Sequence, residues 1–243
     1  MYQHMILMCS DYVQGERIAF HKCYSKVSGI LKFEDIANKI KEKFTNIEFS
    51  FHHIPTNSRV KQSIAEYDSY FKDVIFYSDL DGFEETIKMS TKLTPEDIAK
   101  YILCQYRFDQ LQVQKLLYFV YEEFSKSHDT PLFEEKFEAW QYGPVIPQIY
   151  RVLNKYKSEK IDLEDKELEK IKLELKFEKV KDSNTILSIM DRVLLKYGCK
   201  TGSELIEETH CQGSPWDITI KERGLRSNIP FKLVRECARI ANQ

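Results

Sequence analysis

The chain has 243 residues, of which 42% are hydrophobic and 30% charged, and its formal net charge is −2. This composition is typical of a globular protein with a sizeable core, arranged as one large domain or two small ones. The slight acidity argues against a broad phosphate-binding face, so we expect no nucleic-acid partner. No apolar run approaches the roughly 20 residues that cross a bilayer, so we expect a cytoplasmic protein that does not contact membranes.

The cysteines and the first residues give two further expectations. Six cysteines are spread along the chain, and no pair has the CxxC spacing of a metal site. We therefore expect free buried thiols in a reducing cytosol, with no bound metal. Residues 1–10 are apolar but lack a basic leader and a small-residue cleavage pattern, which favours a buried strand over a signal peptide.

The first ninety residues predict a small α/β domain. In chain order, the hydrophobic patterns indicate a strand at 4–8, a helix over 33–44, a half-buried strand at 47–51, a fully buried strand at 73–78 and a helix ending near 89. Asp81-Gly82 is typical of a turn before that last helix. No glycine-rich phosphate loop is present, so nothing indicates a nucleotide site.

Helices dominate the rest of the chain, which we assign to a second domain over 93–243. Residues 89–93 form the predicted boundary, and Thr94, Pro95 and Asp97 are a strong helix start. Further helices are predicted over 109–126, from Pro147 to 156, over 186–197, at 203–206 and from 230. Gly198 and Ser203 are the expected C-terminal and N-terminal signals of two of them.

Two stretches of the second domain are harder to assign. Residues 133–142 are aromatic-rich, and Gly143-Pro144 is predicted to break the chain sharply after them. Residues 161–180 fit either a helix or a strand. We favour strand character for 171–180, as a short hairpin or edge strand, because apolar residues alternate there with charged ones. The expected class is α+β, with a mainly helical C-terminal domain preceded by the small α/β domain.

Three sequence blocks carry a resemblance to a known family. The first reads Val113-Gln114-Lys115-Leu116-Leu117-Tyr118-Phe119. The second is Phe133 followed by Phe137-Glu138-Ala139-Trp140-Gln141-Tyr142-Gly143-Pro144-Val145-Ile146-Pro147 and then Tyr150. The third is Thr209-His210-Cys211-Gln212-Gly213-Ser214-Pro215-Trp216. In this order and spacing they resemble the Panacea (SocA-like) antitoxin domain over about 93–241, with no counterpart in the first ninety residues.

The resemblance implies a non-enzymatic domain that neutralises a partner toxin by direct binding, in a bacterial, phage or prophage toxin–antitoxin system. The partner would be a cognate protein toxin encoded next door, and no cofactor is implied. Related antitoxins oppose unrelated toxins, so the motifs leave the toxin's chemistry open. The motif residues are the candidates for partner binding: Lys115, Tyr118, Phe133, Trp140, Tyr142, Gly143, Pro144, Pro147, Tyr150, His210, Pro215 and Trp216.

The motif residues also have structural interpretations. Trp140 and Tyr142 fit either a rigid corner packed on Leu116 and Tyr118 or an exposed aromatic anchor for a partner. Lys115 is expected to extend its amine to solvent or to pair with an acid such as Glu138. His210 and Trp216 are expected to form a hydrogen-bonded structural corner.

Two alternative functions remain open from the sequence. Some members of the family look like adaptors that deliver a bound toxin to a protease. If this chain resembles those members, it would be a proteolysis adaptor. An enzyme would need its site in the first domain, where Asp79, Asp81, His52, His53 and Arg59 are loose candidates without a motif. His52 and His53 would point to opposite faces of a strand and so could not bind one metal ion. The oligomeric state and the role of residues 1–90 stay open.

Overall fold

Two units make up the part of the chain that the computed structural model describes, which is residues 1–11, 15–26 and 28–240. The first, the sheet unit, comprises Met1–Lys92 together with Leu175–Lys181. The second, the helical unit, comprises Leu93–Glu174 and the residues from Asp182 onward. The predicted α+β class is confirmed, with a small sheet preceding a mainly helical region.

The sheet unit contains four strands. Its elements are β1 (Tyr2–Asp11), β2 (Glu16–Tyr24), α1 (Gly29–Lys43), β3 (Ser50–Thr56), α2 (Gln62–Tyr67), a short 3₁₀ turn (Ser69–Phe71), β4 (Val74–Tyr77) and α3 (Leu80–Thr91). The strand order is β3-β1-β2-β4. β1 pairs antiparallel with both β2 and β3, whereas β2 and β4 run parallel.

Both faces of this sheet are covered, which explains why β1 is an unbroken apolar run. On one face, Leu7 and Phe20 pack in a cluster with Phe33 of α1 and Phe83 of α3. Residues of the opposite parity, including Ile6, pack on the other face against α2 and the 3₁₀ turn. Burial on both sides removes the polar alternation that marks a half-exposed strand.

Several predictions for this unit need correction. β2 was missed, and β3 begins at Ser50 rather than 47. The prediction of a fully buried strand at 73–78 is wrong, because β4 is an edge strand and Ile75 is 40% exposed. Asp81-Gly82 lies inside α3 instead of forming a turn, since the carboxylate of Asp79 caps the helix by accepting the Gly82 N–H at 2.6 Å.

The helical unit is built around one central helix. Its elements are α4 (Pro95–Gln105), α5 (Gln110–Ser125), β5 (Glu138–Trp140), β6 (Gly143–Val145), α6 (Pro147–Leu153), a 3₁₀ turn (Asn154–Tyr156), α7 (Lys166–Phe177), α8 (Ser183–Tyr197), α9 (Gly202–Thr209), α10 (Pro215–Arg223) and α11 (Phe231–Ile240), and the last three residues of α7 fall in the sheet unit. α5 packs against α4, α8, α9, α11 and β6. It is buried on nearly every side, as expected of a helix enclosed by others.

Reciprocal side-chain caps begin the first two helices of this unit. Thr94 and Asp97 form the capping box of α4, as the sequence predicts. Asp109 and Gln112 form a second box at the start of α5. Each box satisfies N–H groups that the first turn of a helix leaves without partners, so both helix starts are determined locally.

The assignments for the later part of this unit are partly wrong. Residues 171–177 belong to α7 and do not form a strand. Thr201, not Ser203, caps α9, and Gly198 follows α8 with right-handed backbone angles. α10 was missed. None of the described helices combines the length and the apolar character needed to cross a membrane.

The hairpin of the second domain exists, but at 138–145 instead of 171–180. Gly143 and Pro144 lie within β6, where they pair with Trp140 and Ala139. The predicted sharp break at Gly143-Pro144 is therefore wrong. The chain turns between Trp140 and Gly143, before that pair.

Candidate functional site

The β5–β6 hairpin is the centre of the candidate site. A distant segment pairs with its free side: the Ala139 N–H donates to the Ser227 carbonyl at 2.9 Å, and the Arg226 N–H donates to the Ala139 carbonyl at 2.7 Å. The Ile229 N–H donates to the Phe137 carbonyl at 2.8 Å. The second sequence block is thus held in place by residues about ninety positions further along the chain.

Gln114 and Lys115 attach this hairpin to α5. The Gln114 side-chain amide donates to the Ile146 carbonyl at 3.3 Å and accepts the Ile146 N–H at 2.9 Å. It therefore satisfies both backbone groups of Ile146, as a residue of a neighbouring strand would. The Lys115 amine donates to the Pro144 carbonyl at 2.9 Å. These are buried contacts, and an unpaired carbonyl there would cost about 1–3 kcal/mol.

Lys115 is fully buried, and burial lowers the pKa of its amine to about 7. The prediction that it reaches solvent or pairs with Glu138 is wrong. Glu138 instead accepts the indole N–H of Trp140 at 2.8 Å. Gln114 was not singled out from the sequence, although an amide beside a lysine on an otherwise apolar helix face was a signal for it.

Gly143 is the point at which all three sequence blocks meet. Its φ is +100°, and a Cβ there would lie 2.7 Å from Thr209 Oγ1 and 2.8 Å from Lys115 Nζ. Both the backbone conformation and the lack of space require glycine. The motif residues Lys115, Gly143 and Thr209 therefore recognise one another inside the unit.

The third block forms a stacked corner. Trp216 donates its indole N–H to the Trp140 carbonyl at 2.8 Å, and the His210 ring lies 3.6 Å from the Trp216 ring at 7°. Pro215 occupies the first turn of α10. His210 Nε2 is buried without a hydrogen-bond partner among the described residues, and burial followed by the charge of Lys115 lowers the pKa of its imidazole.

Other motif residues belong to the core. Tyr118 is buried, with its ring 5.3 Å from Phe137, and Phe133 packs on Tyr121. Pro144 is buried in β6, and Pro147 begins α6. Tyr118, Phe133 and Pro144 are buried in the folded chain, so they support the site from within.

The prediction that the aromatic pair packs on Leu116 and Tyr118 does not describe Trp140 correctly. Its ring lies 4.9 Å from the ring of Tyr150, and the Arg226 guanidinium lies 5.2 Å over its face. Tyr142, at the hairpin turn, is 59% exposed. Of these three rings, Tyr142 is exposed, whereas Trp140 and Tyr150 are partly buried.

These three rings border a groove of about 440 Å³, which we call the Trp140 groove. Six lining residues are apolar or aromatic: Leu111, Trp140, Tyr142, Val145, Tyr150 and Leu225. The remaining four are Gln110, Gln114, Gln141 and Arg226, so no carboxylate is among the described residues that line it. Its chemistry is apolar with one cationic edge.

His52 and His53, the candidate histidines of the sheet unit, are not gathered into a site. His52 bonds to Ser50 Oγ at 3.0 Å, and His53 bonds to Gln3 Oε1 at 2.6 Å. Across the described residues no three His, Cys, Asp or Glu side chains cluster as metal ligands would. All six cysteines are free, but Cys199 and Cys211 are exposed, which corrects the expectation that all are buried.

Fold and site together define a helical domain whose sequence motifs lock a small hairpin onto a central helix and leave a groove beside it. Residues 113–217 match the family model of the SocA-like antitoxin Panacea domain. Antitoxin SocA of Caulobacter vibrioides is 30% identical over 132 residues, which is 51% of this chain and 65% of that protein. No solved structure matches the chain. Residues 113–217 therefore resemble the SocA-like Panacea domain, as the three motifs predict.

Proposed function

We propose that the protein is an antitoxin that neutralises a protein toxin by direct binding in the cytoplasm, without catalysing a reaction. The similarity to Antitoxin SocA supports this role, although the alignment spans only 65% of that relative's length. The same proposal covers a bacterial or phage-borne toxin–antitoxin pair with the toxin gene adjacent.

The observation that carries the proposal is the use of the motif residues. The amine of Lys115 is buried and bonded to the Pro144 carbonyl, and His210 is stacked on Trp216. A nucleophile or a general base has to reach a substrate, whereas these two side chains contact other residues of the same unit. Because both side chains are engaged inside the protein, their arrangement favours a binding domain over an enzyme.

The accessible part of the site suits protein recognition. Aromatic side chains and arginines dominate the binding energy of protein interfaces, and the Trp140 groove offers three aromatic rings beside Arg226. A stable complex buries about 800 Å² on each partner, so the interface would extend beyond this groove.

Co-expression with the neighbouring reading frame tests the proposal. We expect the neighbour's product to arrest growth, this protein to restore it, and the two to co-purify as a stable complex. Lys115→Glu, which places a carboxylate against the Pro144 carbonyl, should abolish rescue, while the exposed Tyr106→Ala should retain it. A toxic neighbour that is neither bound nor neutralised would remove the proposal.

The lifetime of the toxin distinguishes masking from delivery to a protease. Pulse-chase labelling of the toxin, with and without this protein, should give equal half-lives if binding alone neutralises it. A shorter half-life in its presence would replace simple masking by the adaptor function.

A further inference from the structure

We infer that the Trp140 groove binds an acidic segment of the partner protein, with an aspartate or glutamate on Arg226 and a neighbouring bulky apolar side chain between the aromatic rings. This assignment rests on the proposed antitoxin function for the identity of the partner as a toxin. The binding chemistry itself is carried by three features of the groove.

The first feature is an apolar floor with exposed walls. Tyr142 and Leu225 stand at the rim and are 59% and 62% exposed. A ligand that covers both removes apolar surface from water, which favours binding. Because its walls project into solvent, the groove is shaped to receive a side chain from a passing segment.

The second feature is an unpaired cation held in a defined position. Arg226 forms no ion pair with any acid in the described part of the chain, and its guanidinium stacks on Trp140. Its backbone is fixed by the bond from its N–H to the Ala139 carbonyl and adopts a left-handed φ of 63°. A planar guanidinium that is already positioned matches a carboxylate with two parallel hydrogen bonds.

The third feature is a buried acceptor that lacks a donor. Gln110 Oε1 is shielded from solvent and has no hydrogen-bond partner among the described residues, although Gln110 lines the groove. An unsatisfied buried oxygen destabilises the free protein, so a ligand that brings a donor to it gains binding free energy. A peptide supplies such a donor at every backbone N–H, whereas a hydrocarbon ligand does not.

The charge of the groove predicts the charge of the segment that it binds. The groove lining contains one cation and no carboxylate, so an acidic segment gains an ion pair while a basic one meets repulsion at Arg226. The apolar neighbour follows from the apolar floor, since a purely acidic peptide would leave the rings uncovered.

A displayed library of random 12-residue peptides tests this inference with the full-length protein as bait. Selection on the wild type, with subtraction on Arg226→Glu, should enrich peptides that carry Asp or Glu next to a large aliphatic or aromatic residue. An absence of enrichment, or enrichment of basic or uncharged peptides, would overturn the inference.

The best enriched peptide and its amide analogue, with Glu→Gln or Asp→Asn, then give the affinities by fluorescence anisotropy. We expect binding at least about tenfold weaker for the amide analogue and for Arg226→Glu, because each removes a charge-assisted hydrogen bond, and tenfold corresponds to about 1.4 kcal/mol. Arg223→Glu is the matched control, since it makes the same charge change at an exposed residue outside the groove and should bind within twofold of the wild type. Equal weakening by both charge reversals would overturn the assignment.

Tyr142→Ala is a second variant of the groove, which tests the inference even if Arg226→Glu folds poorly. Tyr142 is exposed, so its truncation should preserve the urea midpoint and still weaken the peptide severalfold. Peptide binding that is unchanged by Tyr142→Ala would place the ligand elsewhere and sink the groove assignment.

The rescue assay separates this inference from the proposed function. If Arg226→Glu rescues growth as well as the wild type, the groove is not the toxin site, while the antitoxin function stands. If the wild type binds the selected peptides but never neutralises the neighbour's product, the antitoxin proposal fails and the acidic-peptide groove stands.

Discussion

Gly143 shows how one residue joins parts of the chain that are far apart. It lies in β6, and its missing side chain leaves room for Lys115 from α5 and Thr209 from α9. Its positive φ would also strain any L-residue. From the sequence alone, Gly143-Pro144 is predicted to break the chain, because Gly-Pro is a strong turn signal.

Replacing Gly143 by alanine should therefore destabilise the helical unit by about 2–4 kcal/mol, from backbone strain plus a clash at less than 3 Å. The matched control is Gly213→Ala, because Gly213 has a similar φ of +81° but no atom within 4 Å of the position that a Cβ would occupy. That change should cost only the strain, about 1 kcal/mol. Urea unfolding of the two variants measures the difference, and equal losses would contradict the three-way contact.

Lys115 makes a hydrogen bond that its neighbours in the sequence do not predict. A lysine on an apolar helix face usually extends to solvent, so that expectation followed from the sequence. The tertiary structure instead places the Pro144 carbonyl 2.9 Å from its amine, across the junction between α5 and the hairpin. No local pattern predicts that contact, since its acceptor belongs to the backbone of another element.

At the scale of elements, α7 is the clearest error. Apolar residues alternate with charged ones over 171–177, which fits a strand, but the same residues also satisfy helical spacing. Leu173 and Phe177, four positions apart, are buried, whereas Leu168, Ile171 and Leu175 are more than 40% exposed. The buried pair follows the period of a helix, and the abundant Glu, Lys and Leu also favour a helix.

Alanine substitution discriminates the two assignments. Leu173→Ala should cost about 2–4 kcal/mol, because Leu173 is only 5% exposed, while Ile171→Ala should cost less than about 0.5 kcal/mol. A strand would put both residues on one face and make their effects similar. Thermal and urea unfolding of the two variants measure the difference, and comparable destabilisation would refute the helix.

The hairpin was missed for a different reason. β5 and β6 have three residues each, too few for a period of two to be detected. Their third partner, the segment around Arg226, lies about ninety residues further along the chain. Such a pairing is invisible to any reasoning that uses a local window.

At the scale of the whole molecule, His21 in the sheet unit and Glu122 in the helical unit make contributions to stability that depend on pH with opposite signs. In the sheet unit, His4 Nδ1 lies 2.9 Å from His21 Nε2. Burial, followed by His4, Lys61 and Lys22, lowers the pKa of His21 to about 4. In the helical unit, burial raises the pKa of Glu122 to about 7.

The signs follow from proton uptake. Between pH 6.5 and 4 the unfolded chain protonates His21 and the folded chain does not, so acid removes stability from the sheet unit, about 2 kcal/mol by pH 5. Between pH 7 and 4.5 the folded chain keeps Glu122 protonated while the unfolded chain ionises it, so the contribution of Glu122 to the stability of the helical unit rises with acid.

Native-state hydrogen exchange at pH 7 and pH 5, corrected for intrinsic rates, measures both effects. On acidification we expect β1 and β2 amides to lose protection, a loss that His21→Gln reduces. We expect α5 amides to gain protection, a gain that Glu122→Gln removes. Identical pH responses in the wild type and in each variant would contradict these environments.

The sequence by itself determined the elements whose signals are local: the capped starts of α4 and α5, the apolar run of β1, the order of a small sheet before a helical region, and the three family motifs. Those features depend on neighbours within about one turn or one strand, so a short window contains their causes. Only the tertiary structure decided the helical state of α7, the pairing of the hairpin with the segment after α10, the partner of Lys115 and the existence of the Trp140 groove. Each depends on contacts between residues distant in the chain, and those contacts outweigh local preference because burial and unsatisfied backbone groups carry larger free energies than intrinsic propensity.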